Sequence, residues 1–497
     1  MCGILLEHNQ RGEFAPGFRS RLDLLEHRGK DQASVHHYPT CRVGFRRLAI
    51  TDRGEQQPGA AHGWATYLNG EIYNYKELGY QGSECEVLAQ GFVKEGTEFV
   101  KRLNGMFVIV AVCGADVYVF RDRAGQKPFY YFKTRDGGIV GASEIKPLLE
   151  HPDYRFKQSV GAFSVNQSAK LQWLTFNNIF TDETLFDGIY KLEKGTVWHL
   201  NTNLIEKYWR WQFKPEPMNY QEAVMQVRQL VVKAVSNMTP KEVPFGSLLS
   251  GGVDSGIIAA LLPDCPVFTA GYNGGDERAL AELTNKSKHY QIVFNRVTDF
   301  TDTILHLEDL RVGASWSNYG LFELASKFCK VIFDGSGADE LFSGYSWRYE
   351  AKNYWDVVNR TWHEKNRPIE PIGHCLQIFE QVFPVDTLEE RYRFDAEHFL
   401  EAVLLVEDRM SMAHTVETRQ PFLDNDLVDF ALTLPNDFKQ GKRILKDAFG
   451  DLLHIDILTG KKRGWTSPDW FEGEGNQAKR WSEAALQEWN KLFNFVG

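Results

Sequence analysis

Short apolar or alternating runs fill residues 1–208, and turns rich in glycine and aspartate separate them. Residues 65–68, 107–112 and 117–120 are examples of such runs. They are typical of β-strands, because successive side chains of a strand point to opposite faces of a sheet. The pattern therefore predicts a mostly β domain that also contains some helix.

A polar segment with two prolines, residues 214–217, follows this region. After it the apolar positions take up helical spacing, at Val224, Val227, Leu230, Val231 and Val235. A change from strand-like to helical periodicity across a proline-containing segment is typical of a linker. We therefore predict two domains, residues 1–208 and residues 216–497.

Strand-like and helical runs alternate at the start of the second predicted domain. Residues 245–249, 267–270 and 331–333 have the apolar character of buried strands, and residues 257–262 that of a helix. Alternation of this kind predicts a parallel sheet covered by helices. From Tyr354 onwards the pattern is mainly helical. We expect an α/β domain with a helical C-terminal region.

Composition and charge argue against several classes of function. The 497 residues are 43% hydrophobic and 25% charged, with a formal net charge of -10. No apolar run reaches the length of about eighteen residues that a membrane helix needs, and no basic run suits a nucleic acid. The seven cysteines show neither a CxxC pair nor a metal-ligand spacing with histidines, which disfavours disulfides and zinc. Because the start also lacks a secretory signal, we expect a cytoplasmic protein with no nucleic-acid or membrane partner.

The second residue of the chain is a cysteine, and this position has a chemical consequence. Removal of Met1 would leave the Cys2 thiol beside a free α-amino group. The amine titrates near ~8 and the thiol near ~8.5, so the amine can take the thiol proton around neutral pH. A lone cysteine is more often a small buried apolar residue. The surrounding motifs decide between these two interpretations.

A series of motifs surrounds Cys2, at residues 27–31, 47–50, 69–74, 82–86, 103–107, 121–125 and 143–146. In their order and residue identities these motifs resemble the class II glutamine amidotransferases, whose glutaminase domain has the N-terminal nucleophile hydrolase fold. The resemblance implies that the first domain is a layered α+β sandwich. It also implies that glutamine is a substrate.

The resemblance assigns catalytic roles to three residues. Cys2 would attack the side-chain amide of glutamine. The side-chain NH₂ of Asn69 and the backbone N–H of Gly70 would hold the tetrahedral oxyanion, since donors placed there stabilise the developing charge.

The same resemblance implies a binding site for the amino-acid part of glutamine. Arg47 would bind the α-carboxylate, because its planar guanidinium can donate two parallel hydrogen bonds. Glu71 and Glu84 would bind the α-amino group, next to Asn69. Relatives usually carry aspartate where this chain has Glu84, so its carboxylate lies one methylene further out.

A glycine-rich turn at residues 250–255 joins the predicted strand 245–249 to the helix that follows. Glycines let backbone N–H groups close on phosphate oxygens, and a helix N-terminus adds partial positive charge. The lysine of a Walker loop is absent. The turn instead resembles the pyrophosphate-binding loop of ATP pyrophosphatases, with Ser250, Gly251, Gly252, Asp254 and Ser255 as binding residues. Taken alone, such a turn can equally be a tight connection.

A second loop, residues 334–345, supports the nucleotide interpretation because it also follows an apolar strand. The carboxyl ends of parallel strands meet at one edge of a sheet, where nucleotides bind. We predict that Gly335, Ser336 and Gly337 bind pyrophosphate. We also predict that Asp254 and Asp339 bind Mg²⁺, because carboxylates hold this ion against phosphates.

Further motifs lie at residues 408–414, 417–424 and 441–446. With the two loops they resemble the asparagine synthetase family, which implies ATP and Mg²⁺ as cofactors. Lys442 matches the catalytic lysine of that family, and it would stabilise charge on the adenylate and on the departing pyrophosphate. Considered alone, Lys442 is equally well explained as an exposed helix lysine.

The resemblance implies a complete reaction. A carboxylate reacts with ATP to give an acyl-adenylate and pyrophosphate, and ammonia then displaces AMP to form an amide. The expected partners are glutamine, ATP and an acceptor carboxylate, with aspartate as the leading case. Members of the family pass ammonia through an internal tunnel, and a homodimer is compatible with the resemblance.

The identity of the acceptor stays open at this point. Relatives often carry an arginine-bearing stretch where this chain has residues 313–318, and an acid or amide where it has Ser336. Arg311, or backbone donors near Gly335 and Gly337, would have to recognise aspartate. A larger acid stacking on Trp316 is the second hypothesis. A third is a catalytically inactive homologue with a binding role, which rests on the departures at Glu84 and Ser336.

Overall fold

Three β-sheets form the framework of the protein in the computed structural model, which describes residues 2–159, 165–272, 278–284, 286–360, 369–460, 470–471 and 477–493. Two of the sheets are antiparallel and lie in the N-terminal part of the chain, and the third is parallel and lies in the C-terminal part. None of the helices in these described ranges is long and apolar enough to span a bilayer.

The twelve N-terminal strands are β1 (Gly3–His8), β2 (Gln32–His37), β3 (Cys41–Arg47), β4 (Gly59–Ala61), β5 (Trp64–Ile72), β6 (Gly105–Cys113), β7 (Asp116–Arg121), β8 (Tyr130–Lys133), β9 (Ile139–Ala142), β10 (Tyr190–Lys191), β11 (Thr196–His199) and β12 (Leu204–Lys207). The first sheet has the order β10-β8-β9-β1-β3-β2, and the second has the order β12-β11-β7-β6-β5-β4.

The alternation of side chains along β1 and β6 explains why the two sheets stack. Ile4 and Leu6 of β1 belong to the same buried cluster as Val108 and Val110 of β6. Ile109, between the two valines, belongs to another cluster on the outer face of the second sheet. Because successive residues of a strand alternate between faces, each sheet buries one face against the other sheet and one face against helices.

Within the described residues, this part of the chain has five α-helices: α1 (Phe18–Asp23), α2 (Glu84–Glu95), α3 (Lys146–Leu149), α4 (Pro152–Ser159) and α5 (Gln167–Phe176). Helix α2 begins with a capping box between Ser83 and Glu86, and its residues Leu88 and Phe92 pack under the second sheet. Helix α1 packs against the first sheet through Phe18 and Leu22. The predicted layered α+β sandwich is confirmed.

The parallel sheet consists of β13 (Phe245–Leu248), β14 (Val267–Tyr272), β15 (His289–Phe294), β16 (Val331–Phe333) and β17 (Glu417–Arg419), in the order β15-β14-β13-β16-β17. The predicted strands at 245–249, 267–270 and 331–333 are confirmed as β13, β14 and β16. The sequence pattern did not reveal β15, which lies at the sheet edge and is half-buried, or β17, whose residues are polar.

The described residues of the C-terminal part form sixteen further α-helices: α6 (Tyr220–Met238), α7 (Val253–Leu261), α8 (Arg278–Glu282), α9 (Phe300–Leu307), α10 (Val312–Ser326), α11 (Ala338–Leu341), α12 (Ser346–Tyr349), α13 (Tyr354–Arg360), α14 (Ile369–Val382), α15 (Leu388–Phe394), α16 (Leu400–Ala413), α17 (Asn425–Thr433), α18 (Asn436–Lys439), α19 (Arg443–Phe449), α20 (Ile455–Thr459) and α21 (Gln477–Phe493). The predicted α/β class with a helical C-terminal region is confirmed.

The proline-containing segment at residues 214–217 carries neither helix nor strand. It runs beside the end of α17, where the Lys214 N–H donates to the Leu432 carbonyl at 2.9 Å and the Glu216 N–H to the Thr433 carbonyl at 2.8 Å. These bonds fasten the connection between the two parts of the chain to the C-terminal part.

Buried ion pairs join the antiparallel sheets to the C-terminal part. The Arg28 guanidinium donates to both carboxylate oxygens of Asp408, at 2.9 and 3.1 Å, and to Glu144 at 2.9 Å. All three side chains are at most 1% exposed. Arg409 contacts Glu308 at 2.8 Å and Glu144 at 3.2 Å. Charges buried this deeply require partners, so the network fixes how the two parts meet.

Replacing Arg28 by methionine should destabilise the protein, because Asp408 would lose both guanidinium hydrogen bonds while staying buried. We expect the free energy of unfolding to fall by about 3 to 5 kcal/mol, measured by urea denaturation. Lys101→Ala removes an exposed pair with Glu98 and is the control, with an expected change below about 1 kcal/mol. Equal, small effects of both variants would contradict a structural role for Arg28.

Candidate active sites

Cys2 lies immediately before β1, and its side chain points into the core between the two antiparallel sheets, with 4% of the residue exposed. Its backbone nitrogen, which becomes the α-amino group when Met1 is removed, donates to Asn69 Oδ1 at 2.9 Å. The Asn69 amide nitrogen in turn donates to Ser143 Oγ at 3.3 Å. Three segments, before β1, in β5 and after β9, therefore position the nucleophile predicted from the sequence.

Gly70 follows Asn69 in β5 and has a φ of 137°, in a region that side chains disfavour. A Cβ atom there would lie 1.9 Å from the Met106 carbonyl oxygen on β6. Glycine is therefore required for the backbone to pass this close to β6. The structure brings Asn69 next to Cys2, with Gly70 as its neighbour in the strand.

The environment of the Cys2 thiol affects its protonation. Burial raises the pKa of the thiol, while the Leu48 N–H and the Arg47 guanidinium oppose that rise. A thiol in this state needs a nearby base before it can act as a nucleophile. The nitrogen of Cys2 itself is the group placed to provide that base.

Arg47 is 5% exposed, and its guanidinium holds a loop in place. It donates to the carbonyl oxygens of Thr51 at 3.1 Å and Asp52 at 2.8 Å, and also to that of Glu55. The predicted clamp for a carboxylate is therefore engaged with residues 51–55 in this structure. A ligand carboxylate would have to compete with these backbone acceptors.

Three carboxylates gather next to Arg47. Glu71 accepts from the Thr51 hydroxyl at 2.8 Å, Glu84 accepts from the Ile72 N–H at 2.8 Å, and Asp52 accepts from the Glu84 N–H at 3.1 Å. Burial raises the pKa of Glu71 to about 7, with Arg419 opposing. Burial and the neighbouring Glu71 raise the pKa of Glu84 well above its usual value. Three carboxylates gathered in this way suit a ligand ammonium group.

Sequence reasoning missed two contributors to this site. Asp52 follows the motif at residues 47–50 and adds the third carboxylate. Arg419 comes from β17 of the parallel sheet and contacts Glu71 at 3.3 Å and Glu417 at 2.8 Å. The motif at residues 417–424 contains Arg419, but its position beside Glu71 depends on how the two parts of the chain pack.

A second site is a cavity of about 760 Å³ beside the carboxyl ends of β13 and β16. Ligand sites in proteins commonly have volumes of about 300 to 1,000 Å³. All eight residues predicted to bind pyrophosphate line it: Ser250, Gly251, Gly252, Asp254, Ser255, Gly335, Ser336 and Gly337. The two predicted loops therefore meet in one cavity.

The turn between β13 and α7 is held by its own serines. The Ser250 N–H donates to Ser255 Oγ at 3.1 Å, and the two hydroxyl groups are 3.0 Å apart. Gly251 has a φ of 81°, and no side chain caps the N-terminus of α7 at Gly252. Free N–H groups at the start of a helix are suited to an anion.

Asp254, Asp339 and Lys442 converge at one point of the cavity wall. The Lys442 ammonium contacts the carboxylates of both aspartates. Burial lowers the pKa of this lysine, but the two carboxylates outweigh burial and raise it. A Cβ at Gly344 would lie 1.7 Å from Asp339 Oδ1, so glycine is needed for the loop to pass this group. Lys442 is buried here, unlike an exposed helix lysine.

The two residues that sequence reasoning offered for the acceptor lie elsewhere. Arg311 pairs with Asp309 at 2.6 Å and donates to Asn178 at 2.9 Å, away from the cavity lining. Trp316 is 1% exposed and packs against Phe294 and other aromatic side chains in the core. Both expectations are wrong because α10 turns the opposite face to the cavity, with Ser317 and Asn318 in the lining.

The cavity has other lining residues that the sequence did not single out. Trp347 is 52% exposed, Tyr345 lies two residues before it, and Lys446 adds a second cation besides Lys442. Glu407 of α16 also lines the cavity, directly before the motif at residues 408–414. Its position beside that motif could have drawn attention to Glu407. The sequence does not show, however, which face of α16 lines the cavity.

Comparisons with known proteins cover nearly all of the chain. The family model for asparagine synthase matches residues 226–495, and that for a glutamine amidotransferase domain matches residues 1–209. Asparagine synthetase [glutamine-hydrolyzing] 1 of Bacillus subtilis is 26% identical, with 98% of this chain and 90% of the relative aligned. Asparagine synthetase [glutamine-hydrolyzing] 3 of Arabidopsis thaliana is also 26% identical, over 99% and 84% of the two chains.

Among solved structures, glutamine phosphoribosylpyrophosphate amidotransferase from B. subtilis matches 72% of this chain and 79% of its own, at 12% identity and a TM-score of 0.30. That score is too low to carry information about function. The family models decide the matter, since together they span both sites. On this ground, the chain belongs to the asparagine synthase family, with a glutamine amidotransferase domain preceding the synthase domain.

Proposed function

We propose that the chain is a glutamine-hydrolysing asparagine synthetase, a carbon–nitrogen ligase that takes its nitrogen from glutamine. The observation that carries the proposal is the convergence of Asp254, Asp339 and Lys442 in the cavity beside β13 and β16, here called the synthase cavity. These residues come from three separate segments, and packing of apolar residues alone would not bring three charged groups together. The relatives named above carry the same activity in their names.

The first half-reaction would take place at Cys2. Its thiol loses a proton to its own α-amino group and attacks the glutamine side-chain amide, forming a tetrahedral oxyanion. Asn69 and the Gly70 N–H donate to that oxyanion. Collapse releases ammonia and leaves an acyl-enzyme, which water hydrolyses to glutamate. The Glu71, Glu84 and Asp52 carboxylates hold the substrate ammonium, and Arg47 turns from its loop carbonyls to the α-carboxylate.

The second half-reaction would take place in the synthase cavity. The N–H groups of the turn at residues 250–255 bind the pyrophosphate part of ATP. An acceptor carboxylate attacks the α-phosphate, pyrophosphate leaves, and Lys442 balances the charge that builds up there. Activation is needed because a free carboxylate oxygen is a poor leaving group, whereas AMP is a good one.

The residues present fit a magnesium ion. Asp254 and Asp339 both contact the Lys442 ammonium, so their carboxylates already lie on either side of one cation. Oxygen ligands from two carboxylates, completed by water and phosphate, are what Mg²⁺ takes in nucleotide sites. When bound, the ion would offset charge on the phosphates. Lys442 would then shift towards the α-phosphate.

Aspartate is the proposed acceptor. Lys442 and Lys446 in the lining, together with backbone N–H groups near Gly335 and Gly337, supply the positive charge that a small dianion needs. A larger acid is the second candidate, because the exposed Trp347 offers it a flat apolar surface at the rim. The inactive-homologue hypothesis has little support, since the candidate side chains occur together at both sites.

Replacing Cys2 by alanine should abolish glutamine hydrolysis, because the thiol is the nucleophile. Amide synthesis from added ammonium should remain within about twofold of the unaltered protein, since the second site lies elsewhere. Glutamate release and asparagine formation measure the two activities. Cys113→Ala is the control and should leave both intact. Undiminished glutamate release from Cys2→Ala would exclude Cys2.

The affinity for glutamine should depend on the protonation of Glu71. With its pKa raised to about 7, Glu71 is ionised above pH 7 and attracts the substrate ammonium, and it loses that charge as the pH falls. The KM for glutamine should therefore rise roughly tenfold between pH 7.5 and pH 6. In Glu71→Gln the KM should be high and nearly constant over this range. A pH dependence retained in Glu71→Gln would contradict the assignment, and Glu77→Gln is the surface control.

Turnover should convert ATP to AMP and pyrophosphate in amounts equal to the amide formed. Phosphorus NMR identifies the products, and a panel of carboxylic acids identifies the acceptor, with aspartate expected to give the fastest pyrophosphate release. Asp339→Asn should lower the rate at least about 100-fold, because a carboxylate at the phosphates is lost. The exposed Asp264→Asn is the control. Formation of ADP would refute the adenylate, and preference for a larger acid would favour the second candidate.

A further inference from the structure

In the synthase cavity, one oxygen of the Glu407 carboxylate accepts no hydrogen bond from the described residues. Glu407, on α16, lines the cavity and is 8% exposed. Asn318 of α10 donates to its Oε1 atom at 2.8 Å. Its Oε2 atom is buried and has no hydrogen-bond partner among the described residues. Burying an acceptor atom in this way is unfavourable unless a ligand donates a hydrogen bond or a proton to it.

The other acidic side chains of the cavity are already engaged. Asp254 and Asp339 contact Lys442. Glu340 accepts from the Tyr345 hydroxyl at 3.1 Å. Each of these carboxylates is therefore held by a donor or a cation of the protein, which lowers its readiness to take a proton from a substrate.

Asp334 is the most informative comparison with Glu407, because the two carboxylates lie close enough for Asp334 to affect the ionisation of Glu407. The Ser336 N–H donates to Asp334 at 2.9 Å and Gln420 donates at 2.7 Å, and the Ser336 hydroxyl donates as well. Burial raises the pKa of Asp334, and these donors oppose that rise. When two neighbouring carboxylates have such different surroundings, the one with fewer donors is the stronger base.

We propose that Glu407 accepts the proton that ammonia loses when it attacks the activated acceptor carboxylate. This inference rests on the proposed function. The nitrogen lone pair forms the new C–N bond, the C–O bond to AMP breaks with its electron pair leaving on AMP, and one N–H proton passes to Glu407 Oε2. Neither an oxidant nor a further co-reactant is required.

Two features of the site support this role. Burial and the charge of Asp334 raise the pKa of Glu407 well above its usual value, which makes it a better proton acceptor than a solvated carboxylate. The hydrogen bond from Asn318 orients the carboxylate and leaves Oε2 available. Glu407 also lies one residue before Asp408, which pairs with Arg28, so α16 places the base close to the boundary with the glutaminase part.

The test separates adenylate formation from ammonia attack in the full-length protein. ATP–pyrophosphate exchange with aspartate measures the first step, and asparagine formation from added ammonium measures the second. Glu407→Gln keeps the size of the side chain and an acceptor for Asn318. We expect exchange within about threefold of the unaltered protein and amide formation about 100-fold lower, the usual contribution of a general base. Glu407→Asp should recover part of the loss.

Glu323→Gln, an exposed position on α10, is the matched control and should leave both steps unchanged. Equal losses in the two steps for Glu407→Gln, or no loss in either, would overturn the proposal. A raised KM for aspartate in the exchange reaction, with amide formation otherwise normal, would instead assign Glu407 to binding the acceptor's ammonium group. If the unaltered protein shows no exchange with any carboxylic acid, the proposed function itself fails.

Discussion

The rest of the structure depends on one buried guanidinium. Arg28 donates to the Cys2 carbonyl at 3.0 Å, to Glu144, and to both oxygens of Asp408. These partners come from the start of the chain, from the end of the first sheet and from α16. Because each charge would be costly to leave unpaired in the interior, the glutaminase and synthase parts can meet in one arrangement. The position of Cys2 relative to the synthase cavity follows from that constraint.

Helix α16 shows how this arrangement serves two sites. Asp408 faces Arg28 and the glutaminase part, while Glu407, the preceding residue, lines the synthase cavity. Strand β17 makes a similar connection, because its residue Arg419 contacts Glu71 in the N-terminal part. Charged groups of the synthase part therefore influence the ionisation of Glu71.

Local features of the sequence were sufficient to predict most of the fold and to select many of the residues that meet at the two candidate sites. Apolar runs located β13, β14 and β16, because a buried strand has a distinctive hydrophobic pattern whatever its neighbours are. The turn at residues 250–255 was recognisable for a similar reason, since its glycines and its place between strand and helix are properties of one short segment. Asp254, Asp339 and Lys442 were identified in this way, and packing brought them together.

The sequence by itself thus determined the order of most elements and the residue types at each candidate site, while the division into residues 1–208 and 216–497 stays a prediction. The tertiary structure alone decided which distant groups meet: Arg28 with Asp408, 380 positions apart, and Arg419 with Glu71. Strand β17 went unnoticed because its residues are polar and are buried through ion pairs, which leave no hydrophobic periodicity. Periodicity also shows that a helix is amphipathic without showing which neighbour each face meets. For this reason Trp316 proved to be a core residue, while Glu407 entered the cavity.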